Sequence, residues 1–217
     1  MPTVRTPAGT RIFIQSAIST EQNVTAITKA NPGVVSYDGT DPATGGYVAL
    51  SNIQGMTELE DALCRVGTVD TTANTLQLED QDTTNYGTFT AGKLQVVTLG
   101  TEIQVATGFS ITGGEQQFAE YTYLWDKVTR RFPTTKTGMN IDLPMIWDPQ
   151  DAGSVALLAA SDASRKTGFK IVFPDGLEML FFGYLGSSGM PNAQDINSVM
   201  ETSATIVTAS RVRYAFP

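Results

Sequence analysis

The ordering of apolar and polar positions is sharpest between Asp148 and Gly189, where a helical pattern gives way to two apolar runs. Asp148 is a good N-cap, Pro149 suits a first helical position, and Asp151 adds a carboxylate to the positive first turn. Val155, Leu158 and Ala159 recur at helical spacing as a narrow apolar stripe. Arg165 and Lys166 stand where the negative end of the dipole favours cations, and Gly168 can take the left-handed conformation that stops a helix. The pattern predicts one helix of roughly four to five turns. Phe169–Phe173 and Leu177–Leu185 follow as apolar strands, separated by the turn residues Pro174, Asp175 and Gly176. A helix packed beside a sheet is the expected outcome.

Elsewhere the pattern is that of strands. Arg11–Ile18 alternates, after an arm over Met1–Thr10 that has little reason to pack alone. Asn31–Gly46, rich in proline and glycine, reads as a long surface loop, and Tyr47–Ile53 as a strand. Within Glu58–Arg65 the spacing of Leu59 and Leu63 suits a helical turn, but Val66–Val69 and Thr75–Leu78 favour short strands, and Lys93–Leu99 resumes β character. Residues 57–91 are therefore expected as a long loop or hairpin insertion in a single domain spanning 1–217. Between Glu102 and Ile111, Ile103, Val105, Phe109 and Ile111 form one side of a strand, while Glu102, Gln104 and Ser110 face the other way. Gly113 and Gly114 permit a turn into Gln116–Leu124, giving a hairpin, and Met139–Trp147 and Ser198–Val212 are further strands. The expected class is mainly β with one flanking α-helix.

Charge narrows the chemistry. Lys and Arg total 14 against 22 Asp and Glu, a formal charge of −8, which argues against ordinary tight binding to nucleic-acid phosphates. The chain has no histidine, which removes the commonest general base and metal ligand and excludes His-dependent serine triads. Cys64 is the single cysteine, so neither an intrachain disulfide nor a multi-cysteine zinc site can form, and a small buried hydrophobe is its simplest role. No stretch suits a signal peptide or the ~20 apolar residues of a membrane helix, so synthesis in the cytosol and no membrane insertion are expected.

Three short motifs are weak. Glu79–Asp82 has carboxylates for calcium but lacks the glycine and terminal glutamate of an EF-hand loop. Gly186–Gly189 has the wrong spacing for a nucleophile elbow, and Gly113–Glu115 lacks the lysine of a phosphate loop. Paired carboxylates leave a glycosidase open, and Trp125, Trp147 and the seven tyrosines leave a carbohydrate-binding β-sandwich open. No catalytic residue, cofactor or metal is predicted.

An ordered block of segments is more specific than any of these. It comprises Asn74–Thr84 (NTLQLEDQDTT), Gly113–Gln117 (GGEQQ) leading to Tyr121 and Leu124, and Phe132–Thr135 (FPTT). The helix after Asp148 and Phe169–Gly176 (FKIVFPDG), followed by Phe182–Tyr184, complete it. In order and spacing the chain resembles the tail tube, or major tail, proteins of phages with long non-contractile tails. The resemblance implies a β-sandwich-like subunit, six copies of which join their sheets into a ring with a shared β-barrel as its inner wall. Rings then stack into a hollow virion tail, assembled in the host cytoplasm, through which DNA passes without specific binding. The implied partners are further copies of the chain and the tape measure, tail tip and tail terminator proteins.

An assembly of this kind has a physical reason. A lone subunit would expose backbone groups at its sheet edges, and ring closure pairs them. Acidic residues facing the bore would repel DNA phosphates. Glu102, Gln104 and Ser110 on the wet side of their strand, with Glu120 on its partner, are the expected lumen residues. The Met1–Thr10 arm and residues 57–91 are expected to bridge neighbouring rings, so that removal of Thr71–Asn85 would leave a folded monomer unable to stack.

Overall fold

A computed structural model of the chain describes residues 8–192 and 198–217. The strands β1 (Arg11–Ile14) and β2 (Ala17–Ile18) lie almost end to end, yet belong to different sheets. The switch falls between adjacent residues: Gln15 N donates to Gly168 O at 2.9 Å, and Ser16 N to Thr98 O at 2.8 Å. A single alternating run over Arg11–Ile18 is thereby divided between two layers.

The first layer is formed by β3 (Gln22–Ile27), β4 (Val34–Asp38), β5 (Tyr47–Gln54), β6 (Ala62–Asp70), β7 (Thr75–Leu78) and β8 (Ala91–Thr98). They pair in the order β8-β3-β4-β7-β6-β5, and β5 pairs again with β8, closing a six-stranded antiparallel barrel, with β2 added beside β8. Val35, Leu50, Val66, Leu76 and Leu94 fill it, and Leu59, from a 3-10 turn over Thr57–Leu59, packs in the same cluster. Closure removes the edges that short strands would otherwise leave unpaired.

The second layer contains β9 (Thr101–Glu102), β10 (Ser110–Gly113), β13 (Met139–Ile146), β14 (Thr167–Val172), β15 (Glu178–Ser187), β16 (Glu201–Thr208) and β17 (Arg213–Ala215). Its order is β10-β13-β16-β15-β14-β1-β9, with β17 beside β15. Between β10 and β13 the chain runs out and back through β11 (Gln116–Tyr121) and β12 (Arg130–Lys136), which pair only with each other. Ile141, Leu143, Phe169, Phe181 and Ile206 point to one side of the sheet and pack with Leu157 and Ala160 of α1 (Ala152–Asp162). Phe169 and Phe181, paired in register, stack with centroids 5.5 Å apart. Leu180 and Phe182 point the other way and meet Ala49, Leu63, Val97 and Leu99 of the barrel. Helix, sheet and barrel thus form three layers, and the mainly β class with one helix is observed.

Several expectations change. The helix begins later and is shorter: Asp151, in an extended conformation, caps it through Oδ2 accepting from Ser154 N at 2.9 Å, and it runs 11 residues. Asp148 instead closes a turn with Gln150 N. The buried stripe is Gly153, Leu157 and Ala160, leaving Val155, Leu158 and Ala159 outside. Ser164 takes the left-handed position after the helix (φ 47°), while Gly168 lies within β14. Arg165 and Lys166 fall beyond the last turn, and Lys166 pairs with Asp61 of the barrel layer.

The expected loop over Asn31–Gly46 contains β4, whose Val35 and Tyr37 are buried. Residues 57–91 are not detached from the core: β6 and β7 form a hairpin in the barrel wall, and Thr83 Oγ1, fully buried, donates to Thr28 O at 2.7 Å. Removal of Thr71–Asn85 would take Leu76 and Leu78 out of the barrel core, so a folded monomer is not expected from it. The single strand expected over Glu102–Ile111 is broken. β9 and β10 occupy opposite edges of the sheet, and the intervening residues bridge them, Thr107 N donating to Pro144 O and Ile146 N to Val105 O. Nor do β10 and β11 form a hairpin. Gly113 and Gly114 (φ 84° and 80°) bend one strand into the next, and a Cβ on Gly113 would stand 2.2 Å from Gly138 O on the returning chain. Of the arm expected over Met1–Thr10, residues 1–7 lie outside the described residues.

Candidate assembly surfaces

The barrel covers only part of the outer side of the second sheet. Toward β10 that side is open, and the strand register fixes what it displays. Ser110, Asp142, Thr205 and Gly186 form one row across β10, β13, β16 and β15. Thr112, Asn140, Val207 and Tyr184 form the next. Pro144 with Ser203 and Ile146 with Glu201 extend the surface along β13 and β16. Thr205 Oγ1 donates to Asp142 Oδ1 at 2.8 Å. The face carries two acids and no base, and it ends at β10, whose far edge has no strand partner among the described residues. Strictly alternating sequence produces this arrangement: Ile141, Leu143 and Met145 enter the core while Asn140, Asp142 and Pro144 remain outside.

Beyond Gly113 and Met139 the same pair of chains leaves the body of the protein as the β11–β12 ribbon. Every residue of β12 is exposed, as are four of the six in β11. Such a ribbon is at best marginally stable alone in water. Its apolar side chains are large: Phe118, Tyr121, Tyr123, Leu124, Trp125, Val128 and Phe132 are all exposed, Trp125 at 75%. Tyr123 and Trp125 stack with centroids 5.5 Å apart and planes 4° from parallel, and Tyr121 meets both Tyr123 and Phe132. An ordered apolar patch of this kind is a signature of an interaction surface. The sequence signal for it was Gly113 and Gly114, which mark where the chain leaves the sheet.

The four expected lumen residues do not share one face. Ser110 lies on the open polar face, directly opposite Asp142. Glu102 is at the opposite edge of the sheet, where Arg11 grips it in a fork (Nε–Oε1 2.7 Å, Nη2–Oε2 2.6 Å) that holds its carboxyl below the ordinary carboxylate range. Gln104 is exposed in the turn after β9. Glu120 lies on the ribbon and pairs with Arg131 at 2.6 Å. Asp142, Thr205 and Glu201 were not singled out from sequence, because their shared face is created by pairing strands about 60 residues apart in the chain.

The weak motifs are absorbed by structure. Glu79 pairs with Arg65 (Nη2–Oε1 2.8 Å), Asp80 accepts from Phe216 N at 2.7 Å, and Asp82 accepts from Thr84 N at 2.9 Å. Among the described residues no cluster of three acids and cysteine is placed to hold a metal ion. Cys64 is buried in the barrel, and its burial raises the thiol pKa. Ser187 lies within β15, its N–H donating to Ser161 Oγ of α1.

The family model described as phage tail tube protein, TTP, matches residues 54–216, well over half of the chain. No curated protein matches it. The matched region includes β6 to β17, and therefore the open face, the ribbon and α1. The chain belongs to the phage tail tube protein family and is a structural component of the virion tail.

Proposed function

We propose that the chain polymerises as stacked hexameric rings into a hollow conduit that delivers phage DNA to the host, with the open face of β10, β13, β16 and the end of β15 lining the bore. The observation that carries this reading is that face: a mostly polar wall with two acids and no base, ending at a strand edge that has no partner among the described residues. Joining the β10 edge to a neighbour's sheet pairs its backbone groups, and repeating the step around a ring closes a shared barrel. Asp142 and Glu201 on that wall, in a chain of formal charge −8, repel phosphates and let DNA slide. Of the expected lumen residues, Ser110 belongs to this wall. Glu102 and Glu120, each neutralised by an arginine, and the uncharged Gln104 add little to the repulsion.

The tape measure, tail tip and tail terminator proteins are the partners this role requires, with assembly in the host cytoplasm and neither cofactor nor membrane insertion. Negative-stain electron microscopy of the purified protein across a concentration series tests the reading. Six-fold rings or tubes are expected. Monomers at every concentration would overturn self-assembly, and monomers that retain a glycan column through Trp125 would establish the carbohydrate-binding alternative, which the exposed Tyr123–Trp125 stack keeps physically reasonable.

A further inference from the structure

A groove of about 280 Å³ lies between α1 and the end of the second sheet. Trp147, whose Nε1 donates to Gly189 O at 3.1 Å, forms part of its lining, and Val155 and Leu158 stand on its helical side. Those two residues are 54% and 39% exposed, so the outward stripe of α1 is apolar and partly open to solvent. Between Trp147 and Asp162 the chain carries Asp148, Asp151 and Asp162 and no Lys or Arg.

The ribbon is complementary in both respects. Its tip offers Trp125 and Leu124, and from Gln116 to Lys136 it carries Lys127, Arg130, Arg131 and Lys136 against only Glu120 and Asp126. It is a basic segment on an acidic protein. The stacked rings are already ordered, so docking them costs less side-chain entropy than docking free rotamers. Ribbon base and groove lie at opposite ends of β13: the ribbon departs at Met139, whereas Met145 and Trp147 border the groove, roughly 20–25 Å away at the rise of a strand.

We infer that the aromatic tip of the ribbon docks into the α1 groove of a second copy of this chain. Tip and groove are different surfaces of the chain, so the contact is heterologous, and each docked copy presents a fresh groove to the next. This inference rests on the self-assembly reading and adds a second contact to the one made by the β10 edge.

Two exposed substitutions separate donor from acceptor. Trp125→Glu removes the tip and keeps the groove; Leu158→Asp does the reverse. Each variant alone is expected to form no tubes, while in an equimolar mixture the two variants associate with each other, because one intact tip still meets one intact groove. Normal tubes from either variant would overturn the contact and leave the conduit reading standing. Cross-linking gives a readout that does not require tubes: Lys127→Cys protein, with Trp125 kept, is mixed with Ala159→Cys protein, with Leu158 kept, and oxidised, Cys64 being buried. A 127–159 linkage between chains is expected. With that linkage but no wild-type tubes, the contact stands and the conduit reading falls; without the linkage, the contact is overturned whether or not tubes form.

Discussion

Tyr47 and Glu178, 131 residues apart in the chain, meet across the boundary between barrel and sheet, the phenol donating to the carboxylate oxygens at 2.9 and 3.0 Å. Lys170 Nζ lies 3.1 Å from the same hydroxyl, and Arg65 Nη1 lies 3.6 Å from Glu178 Oε2. The layers are joined by apolar contact and by a polar network at its margin.

Replacing Tyr47 by Phe leaves the apolar contact and removes the donor to a partly buried carboxylate, at an expected cost of about 1–3 kcal/mol. Burial first, then the charge and hydrogen bond of Glu178, raises the phenol pKa above its ordinary value. The folded state therefore holds this proton more tightly than the unfolded chain. The resulting stability is intact below about pH 10 and is lost as pH rises beyond it. Urea midpoints from pH 8 to 11 are expected to fall more steeply for the wild type than for Tyr47→Phe; parallel curves would show that Tyr47 does not supply the slope.

Gly153 breaks the usual preference for alanine within a helix. In an open helix Gly→Ala gains about 1 kcal/mol. Here a Cβ would stand 2.6 Å from Ile103 Cα and 2.7 Å from Glu102 O, so α1 would have to lift off β9. Gly153→Ala is expected to destabilise by on the order of 1–3 kcal/mol. A raised melting temperature would contradict the close approach.

The helix start can be tested by a pair of substitutions. Asp151→Ala removes the cap on Ser154 N and is expected to cost about 1 kcal/mol. Asp148→Ala disturbs only an exposed turn and is expected to change stability by less than about 0.5 kcal/mol. Equal losses in denaturant titrations would place the cap elsewhere.

Asp142 tests the bore. Asp142→Lys reverses one charge per subunit on the proposed inner wall, while the buried side of β13 is untouched. Tubes of this variant are expected to retain double-stranded DNA at low salt and release it as salt rises, unlike the wild type. A wall that stays indifferent to DNA would place Asp142 outside the bore.

Local stereochemistry was legible in the sequence wherever neighbouring residues settle it. The Pro174–Gly176 turn joins β14 to β15 as expected, Gly176 N donating to Phe173 O at 2.9 Å, because turn residues constrain their own backbone. The alternation over Met139–Trp147 likewise became β13 with its apolar side buried. The single helix was expected, but its register was not, since Asp148 and Asp151 are both competent caps and only the meeting of Gly153 with β9 chooses between them.

By itself the sequence determined a mainly β subunit with one helix, no histidine chemistry, an acidic charge and an ordered set of tail tube segments, all properties of composition and of residues near one another. Only the tertiary structure decided that residues 57–91 build a barrel wall, that β9 and β10 part to opposite edges, and that Ser110, Asp142 and Thr205 share a face. The reason is that strand pairing joins distant segments through backbone groups common to every residue. Sequence sets which side of a strand is apolar, but the partner across the ladder is chosen by packing of the whole chain.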